Sequence, residues 1–159
     1  MPILTLDLQT PTQSYVYGEP LLLRLSAKNP GAQDVFLVRD RVYATCETPT
    51  TIRVLLGVAP PTTEYHYCEF QAPTLERVAA GQSVTLPLQV GMPPEEPFIG
   101  SLGIVESREV PISGAVDVYV AAGVGKSLFV PRTLDPLGEF LRWQTLESSN
   151  RIRIQVAAP

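Results

Sequence analysis

Residues 20–31 read PLLLRLSAKNPG and carry the pattern that decides the fold. Every second residue from Leu21 to Ala27 is apolar, and the residues between them are mostly polar. This period of two predicts a β-strand with one buried face. Asn29-Pro30-Gly31 then predicts a turn, because glycine accepts positive φ, proline restricts the corner, and the asparagine side chain can hydrogen-bond its own turn. The stretch therefore predicts a strand followed at once by a turn.

The same alternation recurs along the chain. Further strands are predicted at Ile3–Leu8, Asp34–Val38, Ile52–Val58, Tyr65–Gln71, Ser83–Val90, Ser101–Glu106, Ala115–Val120 and Ile152–Val156. Pro87 lacks an N–H, so we expect Ser83–Val90 at a sheet edge or a bulge. One helix is indicated within Leu134–Leu146, with Asp135 as N-cap and Pro136 at the first helical position. We predict an all-β, mainly antiparallel immunoglobulin-like β-sandwich of about eight to ten strands, with at most one short helix near residues 135–146.

Length and composition limit the classes of protein. The 159 residues are 45% hydrophobic and 18% charged, with 16 prolines and a net charge of −4. A chain of this length can bury a core without metal or disulfide, so we expect a single domain over residues 1–159, in which 91–100 form a proline-rich crossover loop. The acidic balance argues against a nucleic-acid partner. The apolar runs are far shorter than the ~20 residues that span a bilayer, so no membrane insertion is expected.

The compartment and the state of the two cysteines stay open at this point. No leader is readable in residues 1–15, so we expect a cytoplasmic protein if Met1 is the natural start, and an extracellular or periplasmic one if the chain is processed or excised. Cys46 and Cys68 would form a disulfide in the second case, closing a loop of about 22 residues worth about 3 kcal/mol, or remain thiols in the first. We expect no metal at Cys46, His66 and Cys68, because structural zinc sites use four ligands in close pairs.

One motif suggests nucleotide chemistry. Residues 122–127, AGVGKS, end like a phosphate-binding loop. The full pattern needs a glycine where Val120 stands, and Pro131 would stop the helix that must follow. We therefore expect a mobile glycine hairpin and no cofactor. His66 has no recognisable nucleophile partner, so no enzymatic activity is expected either.

Aromatic residues provide the candidate contact surface. Tyr15, Tyr17, Tyr65 and Tyr67 form two same-face pairs, and Phe98 follows a proline-rich stretch. Tyrosine joins a large apolar area to a polar tip and suits a partner-binding surface. The alternative is structural, since paired tyrosines also satisfy backbone groups at sandwich corners. Phe140-Leu141 near Trp143 is a secondary candidate, for which burial is the alternative.

Two stretches carry a resemblance to a known class of domain. Residues 17–31, YGEPLLLRLSAKNPG, followed by Val35-Phe36-Leu37, resemble the opening of bacterial immunoglobulin-like and cell-adhesion-related domains. Residues 78–86, VAAGQSVTL, look like the later corner of the same domains. The similarity covers residues 3–90 and implies a sandwich with a non-enzymatic adhesion, accessory or assembly role.

These observations predict a structural, protein-binding or assembly module that acts through its loops or through an exposed sheet edge. An unpaired strand offers N–H and C=O groups to another protein or to further copies of this chain. The alternative is an immunoglobulin-like proteinase inhibitor that inserts the rigid loop Gly91–Gly100 into a protease cleft.

Overall fold

The computed structural model describes residues 2–40, 42–57, 71–92, 95–99, 102, 105–109 and 111–158. Its strands, numbered in chain order, are β1 Thr5–Gln9, β2 Ser14–Val16, β3 Leu21–Lys28, β4 Val35–Val38, β5 Val42–Thr48, β6 Thr51–Leu56, β7 Leu75–Val78, β8 Ser83–Val90, β9 Glu95–Ile99, β10 Val105–Glu109, β11 Gly114–Gly125, β12 Thr145–Ser148 and β13 Ile152–Ala157. The helix α1, Pro136–Trp143, lies between β11 and β12. Within these ranges, no helix has both the length and the apolar character that a membrane-spanning helix requires.

The smaller sheet contains the stretch that decides the fold. Its order is β1-β3-β8, and all its pairs are antiparallel, with Leu25 opposite Leu8 on one side and Leu86 on the other. Pro87 lies in β8 opposite Arg24. Within the described chain β8 pairs only with β3, which confirms that this proline-containing strand lies at a sheet edge.

The larger sheet is built around β11. On one side β11 pairs antiparallel with β13 and then with β12. On the other side it pairs in parallel with β6 and then antiparallel with β4. The strands β5, β7 and β2 extend the sheet beyond β6, β4 and β13, and the β2–β13 pair is parallel. Most strand pairs are antiparallel, as the sequence predicts, and β9 with β10 forms a separate hairpin.

The inward faces of the two sheets meet in one core. Leu23, Leu25 and Leu88 from the smaller sheet are buried together with Val118 and Ile154 from the larger one. These are alternate positions in their strands, so the predicted period of two is confirmed as the separation of a buried face from an exposed one. The chain is therefore an all-β protein in which two packed sheets enclose a common core.

The helix packs on the outer face of the larger sheet. Asp135 caps it, because its Oδ1 accepts a hydrogen bond from the backbone N–H of Gly138 at 2.9 Å. Leu137 and Phe140 are buried against Val38 of β4, in a small cluster separate from the main core. The predicted N-cap is confirmed, but the helix ends at Trp143, because the chain turns at once into β12 and pairs with β11.

Two expectations need correction. The glycines of the AGVGKS motif do not form a hairpin: Gly123 and Gly125 lie inside the 12-residue strand β11, paired with β12 and β4. Packing explains why both positions are glycine: a Cβ at Gly123 would overlap the side chain of Gln144, and a Cβ at Gly125 would overlap the indole of Trp143. In the predicted loop 91–100, residues Glu95–Ile99 form β9. The predicted strand Tyr65–Gln71 lies outside the described residues except for Gln71.

Candidate functional site: an exposed apolar segment beside the helix

The connection between β11 and α1, residues 126–135, carries an unusual concentration of exposed apolar side chains. Leu128 is 63% exposed, Val130 is 61% exposed and Leu134 is fully exposed. Phe129, between the first two, turns inward and packs beside the helix. Large apolar side chains in the described chain are elsewhere exposed at scattered positions, whereas three of them fall within seven residues here. We call residues 126–135 the apolar segment.

Aromatic rings form the base under this segment. Phe129 meets Phe140 edge to face, with ring centroids 4.9 Å apart, and Phe140 lies 5.0 Å from Trp143. The indole N–H of Trp143 donates to the carbonyl oxygen of Ser127 at 2.8 Å. Because Gly125 has no side chain, the indole can lie against β11. The first part of the apolar segment is thereby attached to the helix.

Glu139 of α1 holds the second part. Its carboxylate accepts hydrogen bonds from the backbone N–H groups of Arg132, at 3.0 and 3.1 Å, and of Thr133, at 3.0 Å, and from the hydroxyl of Thr133. Desolvation raises the pKa of Glu139, but these hydrogen bonds and the nearby charge of Arg142 outweigh it and hold the pKa below its ordinary value. Since Glu139 bonds backbone groups, the guanidinium groups of Arg132 and Arg142 form no ion pair with any described residue.

The segment and the helix together line an open depression of about 530 Å³. It is lined by Ser127, Leu128, Phe129, Val130, Arg132, Thr133, Glu139, Arg142 and Trp143. Aromatic residues and arginine are enriched at protein–protein contact sites. A smaller depression of about 250 Å³ lies over the three-stranded sheet, beside Pro87.

A second, polar surface lies on the outer face of the larger sheet. Tyr119 of β11 donates its hydroxyl hydrogen to Glu47 of β5, and the guanidinium of Arg151 lies 4.9 Å from the centre of its ring. Burial raises the pKa of Tyr119, and the hydrogen bond to Glu47 adds to this shift. The Nε atom of Arg53, on the neighbouring strand, is buried and has no hydrogen-bond partner among the described residues.

An ion pair borders this polar surface. Arg153 Nε donates to Asp117 Oδ1 at 3.0 Å. The hydrogen bond to Arg153 lowers the pKa of Asp117, and the same bond raises the pKa of Arg153. These two side chains therefore form an ion pair within the chain, which Arg132 and Arg142 do not form with any described residue.

Of the four predicted contact tyrosines, the structure describes Tyr15 and Tyr17. Tyr15 is only 5% exposed, and its hydroxyl lies 2.6 Å from Thr10 Oγ1 and 3.2 Å from the carbonyl oxygen of Leu22, to which it donates. This placement corresponds to the structural alternative for Tyr15. Tyr17 is half-buried and packs against the main core. Phe98 lies in β9, opposite Glu106.

The remaining predicted site residues are described only in part. Tyr65, Tyr67, His66 and Cys68 lie outside the described ranges, and Cys46 is half-buried in β5. The Cys46–Cys68 disulfide stays a prediction. In the part of the chain that the structure covers, no three His, Cys, Asp or Glu side chains are grouped to hold a metal ion.

The apolar segment is not among the contact surfaces predicted from the sequence, although residues 127–131 carry a recognisable pattern. Ser127-Leu128-Phe129-Val130-Pro131 alternates like a strand directly after β11, and the proline ends the run. Such a run reads equally well as buried strand, because periodicity distinguishes the two faces but not which of them meets the core. The secondary candidate Phe140 proves to be fully buried beneath the site.

Comparisons with known proteins add little. No family model and no curated protein matches this chain. Similar solved structures include the β-glucosidase from Listeria innocua in complex with isofagomine, at 13% identity and a TM-score of 0.40, and in complex with glucose, at 16% identity and a TM-score of 0.39. Each alignment covers 97% of this chain, and the chain spans only 16% of the length of those structures.

Proposed function

We propose that this chain is a non-enzymatic protein-binding module of immunoglobulin type, which contacts its partner through the apolar segment. The observation that carries the proposal is the exposure of Leu128, Val130 and Leu134 beside an aromatic base. Exposed apolar side chains gathered in one place and bordered by polar groups are characteristic of interaction surfaces. Burial of these three side chains by a partner would remove apolar area from water, at about 25 cal/mol per Å².

Strand pairing supports the immunoglobulin type. In that architecture the strands called A, B and E share one sheet, and C, F and G share the other. The smaller sheet, β1-β3-β8, fits the first set, and β4, β11 and β13 of the larger sheet fit the second. The hairpin β5–β6 and the pair β9–β10 would be insertions between these strands, and α1 with β12 an insertion before the last one.

The shape of the depression supports a protein rather than a small molecule as the ligand. Small-molecule sites enclose most of the ligand surface. Here Leu128 and Val130 are more than half exposed, so a small ligand between them would stay largely in water. A flat or extended protein surface can cover them together.

A differential capture experiment tests the proposal. The immobilised wild-type chain and the variant Leu128→Ser/Val130→Ser are incubated with extract of the source organism, and bound proteins are quantified by mass spectrometry. The control variant Val16→Ser/Leu22→Ser changes two exposed apolar residues that lie in β2 and β3, outside the segment. We expect specific proteins that bind wild type and control but not the segment variant. Identical protein sets for all three would refute the proposal.

Both variants must first be shown to fold. Substitutions of exposed residues change the free energy of unfolding by about 0.5 kcal/mol or less, so urea denaturation of each variant should reproduce the wild-type midpoint. A partner identified in this way is then purified, and its dissociation constant is measured for the three chains.

A further inference from the structure

The apolar segment contains a short stretch with the geometry of a strand. After a bend at Lys126 and Ser127, residues 128–132 run with neither turn nor bend. Exposure alternates along them, since Leu128 and Val130 point to solvent and Phe129 between them packs on the helix. Alternation with a period of two is the geometry of an extended chain.

Among the described residues, the middle of this stretch has no backbone hydrogen-bond partner. Trp143 bonds the carbonyl of Ser127, and Glu139 bonds the N–H of Arg132. Between these two anchors, no N–H or C=O of residues 128–130 bonds any described residue. An extended stretch held at both ends with unused backbone groups is prepared to pair, because the ordering cost of binding has already been met.

Both edges of the smaller sheet, β1 and β8, are covered or interrupted. The side chain of Asn150 covers the edge of β1: its Oδ1 accepts from the N–H of Leu8 at 2.7 Å, and its Nδ2 donates to the carbonyl of Leu8 at 3.2 Å. Glu147 accepts from the N–H of Ile3 at 2.8 Å. In β8, Pro87 interrupts the edge. Covered or interrupted edges prevent unwanted strand pairing, and residues 128–130 have neither device.

The charged side chains around the depression indicate the charge that a partner should carry. Arg132 and Arg142 line the depression and form no ion pair with any described residue, while the carboxylate of Glu139 accepts hydrogen bonds from backbone N–H groups. The whole chain carries a net charge of −4, so this is a locally basic site on an acidic protein. Carboxylates on the partner would match it, since arginine pairs with them through two parallel hydrogen bonds.

We propose that the segment binds by β-augmentation: an extended stretch of another protein adds as a strand along residues 128–130. Its alternate apolar side chains cover Leu128 and Val130, and one or more Asp or Glu residues reach Arg132 and Arg142. This inference rests on the proposed function, because it specifies the partner chemistry of the same surface.

A peptide library tests the inference directly. Twelve-residue random peptides displayed on phage are selected against the full chain, and enriched sequences are synthesised. We expect alternating apolar residues next to Asp or Glu. Binding is measured through the fluorescence of Trp143, the one tryptophan of the chain, and by calorimetry.

Matched variants separate the contributions. Arg132→Glu/Arg142→Glu should weaken binding about tenfold or more. The control Arg24→Glu/Lys28→Glu makes the same charge change on the exposed face of β3 and should leave binding unchanged. The N–H groups of the bound peptide are then methylated one at a time. Methylation should abolish binding at every second position and have little effect at the positions between, because a strand pairs through alternate residues.

The outcomes distinguish the inference from the proposed function. Peptides that need Leu128 and Val130 but show no preference for carboxylates, or that tolerate N-methylation at every position, would overturn β-augmentation and leave the binding surface intact. Concentration-dependent self-association that Leu128→Ser/Val130→Ser abolishes would make a second copy the occupant and overturn the inference. Failure to select any segment-dependent peptide would also overturn it, whereas the proposed function is decided by the capture experiment.

Discussion

A methyl group at Gly125 tests whether the aromatic base is arranged as described. The Cβ of Gly125→Ala would overlap the indole of Trp143, so the indole must move away from β11. It then loses its hydrogen bond to Ser127, worth about 0.5–1.5 kcal/mol, and its contacts with Phe129 and Phe140, worth about 0.5–1.5 kcal/mol each. Alanine recovers about 0.5–1 kcal/mol relative to glycine in a strand. We expect a net loss of about 0.5–4 kcal/mol in the free energy of unfolding.

Fluorescence measures the displacement of the indole, and urea denaturation measures the loss of stability. Because Trp143 is the one tryptophan in the chain, a shift of its emission to longer wavelength reports that the indole has left the helix–sheet contact. The urea midpoint should fall while the m-value stays constant. Gly91→Ala is the matched control, because a Cβ at Gly91 has no heavy atom within 4 Å.

A Gly125→Ala protein with the emission maximum and the urea midpoint of the wild type would contradict this placement of the indole. Trp143 would then not occupy the space above Gly125, and the apolar segment would lack the base on which the candidate site rests. A change of the same size in Gly91→Ala would show that the effect comes from glycine replacement in general.

Three further perturbations follow from individual contacts. Asn29 is buried and donates to the carbonyls of Gln33 and Val78 at 2.7 and 3.0 Å, so Asn29→Ala should cost about 2–3 kcal/mol in urea denaturation. Asn150→Ala uncovers the edge of β1 and should raise concentration-dependent association in light scattering. Glu139→Gln should lower the thermal midpoint at pH 7. The lowered pKa of Glu139 stabilises the fold above the ordinary carboxyl pKa, and that contribution is lost as the pH falls through the folded-state value, so the two midpoints should converge in acid.

Each of these has a contrary outcome. A change below about 0.5 kcal/mol for Asn29→Ala, comparable to that of the exposed control Gln82→Ala, would contradict the role of the buried amide. Unchanged light scattering for Asn150→Ala would show that its side chain does not protect the edge. A thermal difference between wild type and Glu139→Gln that grows as the pH is lowered would reverse the sign derived from the pKa.

Local features of the fold were predictable because they depend on neighbours in sequence. The turn at Asn29 is confirmed, since Asn29 Oδ1 accepts from the N–H of Gly31 at 2.9 Å. The N-cap at Asp135 needs only the backbone of the next turn. Pro87 restricts β8 through the absence of its own N–H. In each case one residue and its immediate backbone determine the outcome.

The candidate site was not predictable in the same way. Tyr15 and Leu128 both read as members of alternating segments, yet Tyr15 is buried and Leu128 is exposed. The difference arises from what lies over each residue: the two sheets enclose Tyr15, while α1 covers Phe129 and leaves its neighbours in water.

The amino-acid sequence is enough to predict the alternating strands, several of their turns and the residue at which α1 begins, because hydrophobic period, turn residues and caps act over a few residues. Three features depend on tertiary contacts: β6 runs parallel to β11, α1 packs where Gly123 and Gly125 leave room, and the apolar segment stays exposed. Strand partners and helix position depend on contacts between residues far apart in the chain, and a pattern of buried and exposed faces does not specify which distant face covers which.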